Sequence, residues 1–228
     1  MSRSTLLLLA DGRFPAGGHA HSGGAEAAVR AGRVYDAASL EEFCRGRLHT
    51  VGLVGAALAA AAALGGDPVA LDGAADARTP SPALRGASRR LGRQLLRAAR
   101  AVWPRGEELY GALAREFPKG AHQAVVLGVV ARGAGLGAGD AAHCAAYDAV
   151  SGVASATVRL LSLDPFEASG VVARLAGEVD RVAERGVEAG GAVVVSGEGV
   201  DALPAGGSPL LEIGGEAHTV SGGRLFAS

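Results

Sequence analysis

The sequence predicts an all-α, single-domain helical bundle over residues 1–190 with an irregular C-terminal tail over 191–228, on three observations. Apolar side chains recur at three- and four-residue steps through most of the first 190 positions, the spacing that lines one face of a helix. Asp67-Pro68, Thr79-Pro80 and Asp164-Pro165 each pair a side-chain cap with a residue whose fixed torsion suits a first helical position. After Gly190 the chain turns to Gly, Val, Pro and isolated apolar residues without helical periodicity, so the tail is expected to be extended or flexible when alone. At 228 residues a single core is sufficient and nothing demands a second domain.

In chain order, Ser39 and Glu42 stand at capping-box spacing and predict a helix start. Leu40, Phe43, Cys44, Leu48, Val51, Val54 and Leu58 then draw one apolar stripe, closed by Gly65-Gly66. The uncharged stretch 51–66 falls short of the roughly 18–20 residues that a bilayer span needs and reads as a buried helix. Two further helices start at Asp67-Pro68 and Thr79-Pro80. Over Ser88–Trp103 the arginines Arg89, Arg90, Arg93, Arg97 and Arg100 surround Leu91, Leu95 and Val102, which reads as a solvated basic face. Asp140–Leu161 reads as a central helix with Tyr147, Val150, Val158 and Leu161 inward. Asp164-Pro165, with Glu167 three residues after the cap, opens the clearest helix, whose stripe is Ala168, Val172, Leu175, Val179 and Val182.

Composition removes several function classes. The 22 basic and 23 acidic residues nearly cancel, so no overall field draws the chain to nucleic acid or an anionic membrane, and partners are selected by shape. Cys44 and Cys144 are the only cysteines, which gives no disulfide framework and no structural zinc site and points to the reducing cytoplasm. The opening Arg3 and Leu6–Ala10 resemble a signal peptide, but the apolar run stops at Asp11-Gly12-Arg13 and is too short to export the chain.

Three enzymatic or metal-binding patterns invite attention. Ala124–Val130 resembles a strand leading into Gly133–Gly139, a relaxed GxGxxA pattern; in a nucleotide-dependent enzyme such glycines let the backbone approach a pyrophosphate. The pattern is followed by helical periodicity and not by a second buried strand, so it reads better as a helix-to-helix turn. His19 and His21 in Gly17–Gly24 could serve a direct nickel carrier, but histidines two apart share a metal only in a loop with further ligands from elsewhere. His49, His122, His143 and His218 show no zinc or haem spacing, and no GxSxG elbow or metalloprotease helix is present.

Leu7, Leu9, Asp11, Pro15, Gly17, Gly18, Ser22, Gly24 and Glu26, in that spacing, resemble the opening motif of the UreF family. Ser88-Arg89-Arg90-Leu91-Gly92, His122 with Val125 and Gly128, Ser151-Gly152 with Ser155-Ala156, and Arg159-Leu160 follow in order. Pro209–Glu212, His218 and Arg224-Leu225-Phe226-Ala227-Ser228 resemble its ending. The chain departs from the pattern at His19, where an aromatic ring is usual, at Ala25, which replaces a leucine, and at Leu91, where methionine is common.

The resemblance implies a non-catalytic helical accessory protein, usually a homodimer. It implies that the protein binds a UreD/UreH-type scaffold and the GTPase UreG and takes part in loading nickel into apo-urease. No resident cofactor is implied, since nickel is handled by the complex. On that reading Pro15, Gly17, Gly18, Ser22, Gly24, Glu26, His218, Arg224, Leu225, Phe226 and Ser228 are partner-binding candidates. Leu225 and Phe226 would supply an apolar anchor as a free tail folds on binding. Ser88, Arg90, Gly92 and Arg159 are structural or interface groups; Arg90 or Arg159 as an arginine finger is the weaker reading, and Glu26 is a candidate for GTPase contact or nickel handover.

Overall fold

The structure, a computed structural model, describes residues 2–227. Its regular elements are helices α1 (Arg3–Ala10), α2 (Ala25–Arg30), α3 (Ala37–Arg47), α4 (Leu53–Ala63), α5 (Pro68–Ala77), α6 (Pro82–Val102), α7 (Glu107–Glu116), α8 (Gln123–Gly133), α9 (Ala138–Leu161), α10 (Pro165–Val194) and α11 (Pro209–Val220). No strand occurs among the described residues, in agreement with the all-α expectation.

Helix α4 is the hub, packing against α8, α9 and α10. Its run Ala56–Ala62 is buried, and small side chains there let neighbouring axes approach closely. Leu175, Val179 and Val182 of α10 and Val150 and Val153 of α9 close one side of the core; Val125, Val126 and Val130 of α8 close the other. Helix α6 lies outside α8, while α11 bridges α2 and α6.

Caps explain where the helices begin, and they correct two expected starts. Asp67 accepts hydrogen bonds from Val69 N at 3.1 Å and Ala70 N at 3.3 Å, and Asp164 accepts from Phe166 N at 2.8 Å, both as expected. The capping box of α3 is formed by Asp36 and Ser39, with Ser39 N 2.8 Å from Asp36 Oδ1, so Ser39 is the third helical residue and not the cap; Glu42 instead pairs with Arg45. Helix α6 starts at Ser81-Pro82 and not at Thr79-Pro80, because the Ser81 hydroxyl reaches Leu84 N at 3.1 Å while the Thr79 hydroxyl donates back to Ala75 O.

Helix α3 runs into α4 through a π turn at Leu48–Gly52, giving one 27-residue helix from Ala37 to Ala63. By length and composition this helix is long and apolar enough to cross a membrane, longer than the uncharged stretch alone indicated. In the fold 61% of its most apolar window is buried, as in a core helix.

The helix-to-helix reading of the glycine turn holds: Val125–Val130 lie inside α8, and Gly133–Gly139 carry the chain from α8 to α9, so no strand precedes the turn. Two further expectations are corrected. Tyr147, expected inward, is 41% exposed. The tail, expected to be extended or flexible, contains α11, whose buried face is Leu211, Gly214 and His218.

Candidate partner-docking surface

The opening and closing segments of the chain, far apart in sequence, are joined through Glu26. Gly17 and Gly24 adopt left-handed backbone with φ of 82° and 91°, and at Gly24 a Cβ would lie 2.7 Å from Leu211 Cδ2. That turn admits α11 against α2 and starts α2 with Glu26 on its inner side. Ser22 Oγ accepts from Glu26 N at 3.3 Å and fixes the first turn.

Glu26 is only 2% exposed, yet both carboxylate oxygens are fully engaged. Oε2 accepts from His218 Nε2 and from Phe226 N, each at 3.0 Å. Oε1 accepts from Leu225 N at 2.9 Å and from Arg30 Nη2 at 3.1 Å. A carboxylate can only accept, so the His218 Nε2 carries the proton in this bond. Burial opposes ionisation of Glu26, but the bonds from His218, Leu225, Phe226 and Arg30 outweigh it and hold the carboxyl down at about 2. The group is therefore a buried anion that clamps the tail.

Further contacts tie down the same segment. Arg30 donates to Gly222 O at 3.0 Å and Gly223 O at 2.7 Å, and Ala227 N donates to Ala20 O at 2.8 Å. Arg159 donates to His19 O at 2.8 Å and stands 4.2 Å from the centroid of the Phe226 ring, a cation–π contact. Glu216 of α11 accepts from the Ser81 hydroxyl and from Ala83 N at 2.9 Å, while Glu212 accepts from Ser81 N at 2.7 Å. These carboxylates face the positive end of α6. The side-chain and backbone bonds of Ser81 and Ala83 hold the Glu216 carboxyl below its usual range.

With its inner face anchored, α11 turns an apolar stripe outward. Leu210, Ile213 and Val220, spaced along one helical face, are 59%, 65% and 87% exposed, and Leu225 stands exposed beyond them. Of the residues read from sequence as partner-binding, the structure gathers Gly17, Gly18, Ser22, Gly24, Glu26, His218, Leu225 and Phe226 into this one region. Glu26, His218, Ser22 and Phe226 face its interior, whereas Gly18 and Leu225 reach its surface; Pro15 and Arg224 are exposed and are not part of the Glu26 network. Ser228 lies outside the described residues. The free tail expected from sequence is thus docked on its own chain, because Phe226 finds the Arg159 face and two of the tail's amides find Glu26.

Ser88, Arg90 and Gly92 lie on α6. Ser88 Oγ lies 3.0 Å from His122 Nδ1 and accepts from Gln123 N at 3.1 Å, fastening α6 to the start of α8. Gly92 permits close approach there, since a Cβ would meet Ala121 O at 2.2 Å. Arg90 is exposed.

Sequence reasoning missed the network around Ser88. Asp72 and Asp76, one turn apart on α5, bracket Arg89 Nη2 at 2.7 and 2.8 Å; Asp76 Oδ1 lies 2.8 Å from His122 Nε2, and Asp72 Oδ1 accepts from His122 N at 2.8 Å. The four-residue spacing of the two aspartates was the available signal. Asp72, Asp76 and His122 bring ligand atoms within 4.8 Å of one another, a spacing a cation could use, but the Arg89 guanidinium already supplies the positive charge between the two carboxylates. His19 and His21 belong to no such group among the described residues; His21 is held below its usual range by burial and by the charges of Arg90 and His19.

Comparison with known proteins identifies the family. The UreF family model matches residues 34–176. The chain is similar to the urease accessory protein UreF of Mycolicibacterium vanbaalenii, 40% identical over 231 residues that cover 100% of this chain and 99% of that protein. It is 44% identical over 187 residues to that of Mycobacterium tuberculosis (80% and 84% covered). Against that of Mycobacterium marinum it is 47% identical over 165 residues (71% and 74% covered). An all-helical core spanned by the family match, with full-length likeness to proteins of that name, makes this chain a member of the UreF family of urease accessory proteins.

Proposed function

We propose that the protein acts in urease maturation as a non-catalytic scaffold. It bridges a UreD/UreH-type protein and the GTPase UreG while nickel, the cargo, is inserted into apo-urease. The reading includes a cytoplasmic location, a homodimeric working form and modulation of the GTPase through contact. The observation that carries it is the outward stripe Leu210, Ile213 and Val220, with Leu225 alongside, held in place by a buried Glu26 clamp. A fold that spends a buried anion on fixing an otherwise mobile end, and then leaves large apolar side chains in water, is built to present a surface to another polypeptide.

The roles of individual arginines follow from their contacts. Arg159 is engaged with Phe226 and His19, which favours a structural part in shaping the surface over a finger reaching a nucleotide. The test is removal of Arg224–Ser228. A truncated chain of unchanged helical content is expected to lose co-purification with its UreD/UreH-type partner; undiminished co-purification would show that the tail carries no part of the interface.

A further inference from the structure

A second surface lies on the far side of α6, away from the clamp. Arg93, Arg97 and Arg100 project from one face of that helix over about 10 Å, and form the rim of a groove of about 420 Å³ between α6 and α7. The groove is floored by Leu96, Leu113, Phe117 and Val126, and none of the residues lining it carries a carboxylate. Arg93 is spent on the Lys119 carbonyl, a neutral acceptor that leaves its charge uncompensated, and Arg100 pairs with Glu107 at 2.8 Å in an exposed ion pair. Arg97 has neither hydrogen bond nor ion pair among the described residues. On a chain whose formal net charge is −1, this is a concentration of positive charge with an apolar floor.

We propose that this groove docks an acidic polypeptide segment of a partner, one that places apolar side chains on the floor while glutamates or aspartates face Arg93 and Arg97. Charge complementarity identifies the occupant: a planar guanidinium left without a carboxylate is matched by one from outside, in bidentate geometry. The apolar floor favours a peptide over a nucleic acid. A duplex needs a broad basic track for its phosphates, and a single strand needs exposed rings on which bases stack, whereas Phe117 is the one ring here and is half-buried. The inference does not depend on the urease role proposed above, because the groove and the α11 stripe share no residue.

The test is fluorescence anisotropy of the full chain with a labelled peptide of about 14 residues, roughly four helical turns, carrying Glu on one face and Leu on the other. A second peptide has Gln in place of every Glu. The acidic peptide is expected to bind with an affinity that falls as salt is added, and the Gln peptide to bind weakly. Arg97→Glu, whose side chain has no partner to lose, is expected to weaken binding about tenfold with unchanged helical content, while Arg185→Glu on the exposed side of α10 stays within about twofold. Four results would overturn the proposal: no binding of the acidic peptide, equal binding of the Gln peptide, equal loss in Arg185→Glu, or a single-stranded oligonucleotide of matched charge displacing the peptide from the wild-type chain.

Discussion

Replacing Glu26 by Gln tests the clamp with the smallest change of shape. The carboxyl falls from 4.5 to about 2 in the fold, and at about 1.4 kcal/mol per pH unit the ionised form is worth about 3 kcal/mol to the folded state. A separate count from the contacts agrees. Gln keeps one acceptor oxygen but turns an NH2 toward donors, so about two of the four bonds are lost at about 1.5 kcal/mol each. The folded value is depressed, so this stability is fully present above 4.5 and is lost as pH falls through 4.5 toward 2. Other depressed carboxyls, such as Asp76 and Glu178, are common to both proteins and cancel in the difference. Amide hydrogen exchange at Leu225 and Phe226 reads the effect directly. At neutral pH their exchange should quicken about a hundredfold in Glu26→Gln, and the gap between the two proteins should narrow below pH 4.5, to about tenfold at pH 3, and close at about pH 2 or below. Equal protection at neutral pH, or a gap that persists unchanged in acid, would refute the clamp.

Other expectations follow from single contacts. Gly92→Ala places a methyl group 2.2 Å from Ala121 O and should cost about 1–3 kcal/mol in urea unfolding; a loss below about 0.5 kcal/mol would show that α6 shifts freely on α8. Asp72→Ala leaves the buried His122 N without its acceptor and weakens the hold on Arg89, so a loss of about 3 kcal/mol is expected by the same measurement, and a stable variant would remove that network from the account. Burial pushes the Cys44 and Cys144 thiols up to about 12, so neither should react with a thiol reagent at neutral pH until the chain unfolds; prompt modification of the native protein would contradict their enclosure.

The sequence made the fold legible wherever one residue controlled one boundary. Asp67-Pro68 and Asp164-Pro165 each combine a strong cap with proline, and α5 and α10 begin there. Where two candidates competed the reading slipped: Thr79-Pro80 and Ser81-Pro82 have the same form, and only Glu212 and Glu216, arriving from α11, select Ser81. Helix α11 itself escaped because its inner face is Leu211, Gly214 and His218, in which glycine and histidine replace the large apolar residues that a periodicity search counts.

The candidate site was legible as a set of residues and not as an arrangement. The family pattern named Glu26, His218, Leu225 and Phe226, yet their separation of some 190 to 200 positions conceals that they touch. Their burial reverses the expected roles of Glu26 and Phe226, which hold the surface together from within. Leu210, Ile213 and Val220, which form that surface, were not among the candidates, because exposure of an apolar residue is a property of the packed chain.

The most direct test of the account is the affinity of the purified chain for the UreD/UreH-type partner proposed for it, measured by titration calorimetry for wild type and for a Leu210→Asp, Ile213→Asp double variant. Both side chains stand in solvent in the free chain, so the fold should be unchanged while the complex weakens at least about a hundredfold. A correctly folded double variant that binds as tightly as wild type would contradict the claim that α11 presents the docking surface.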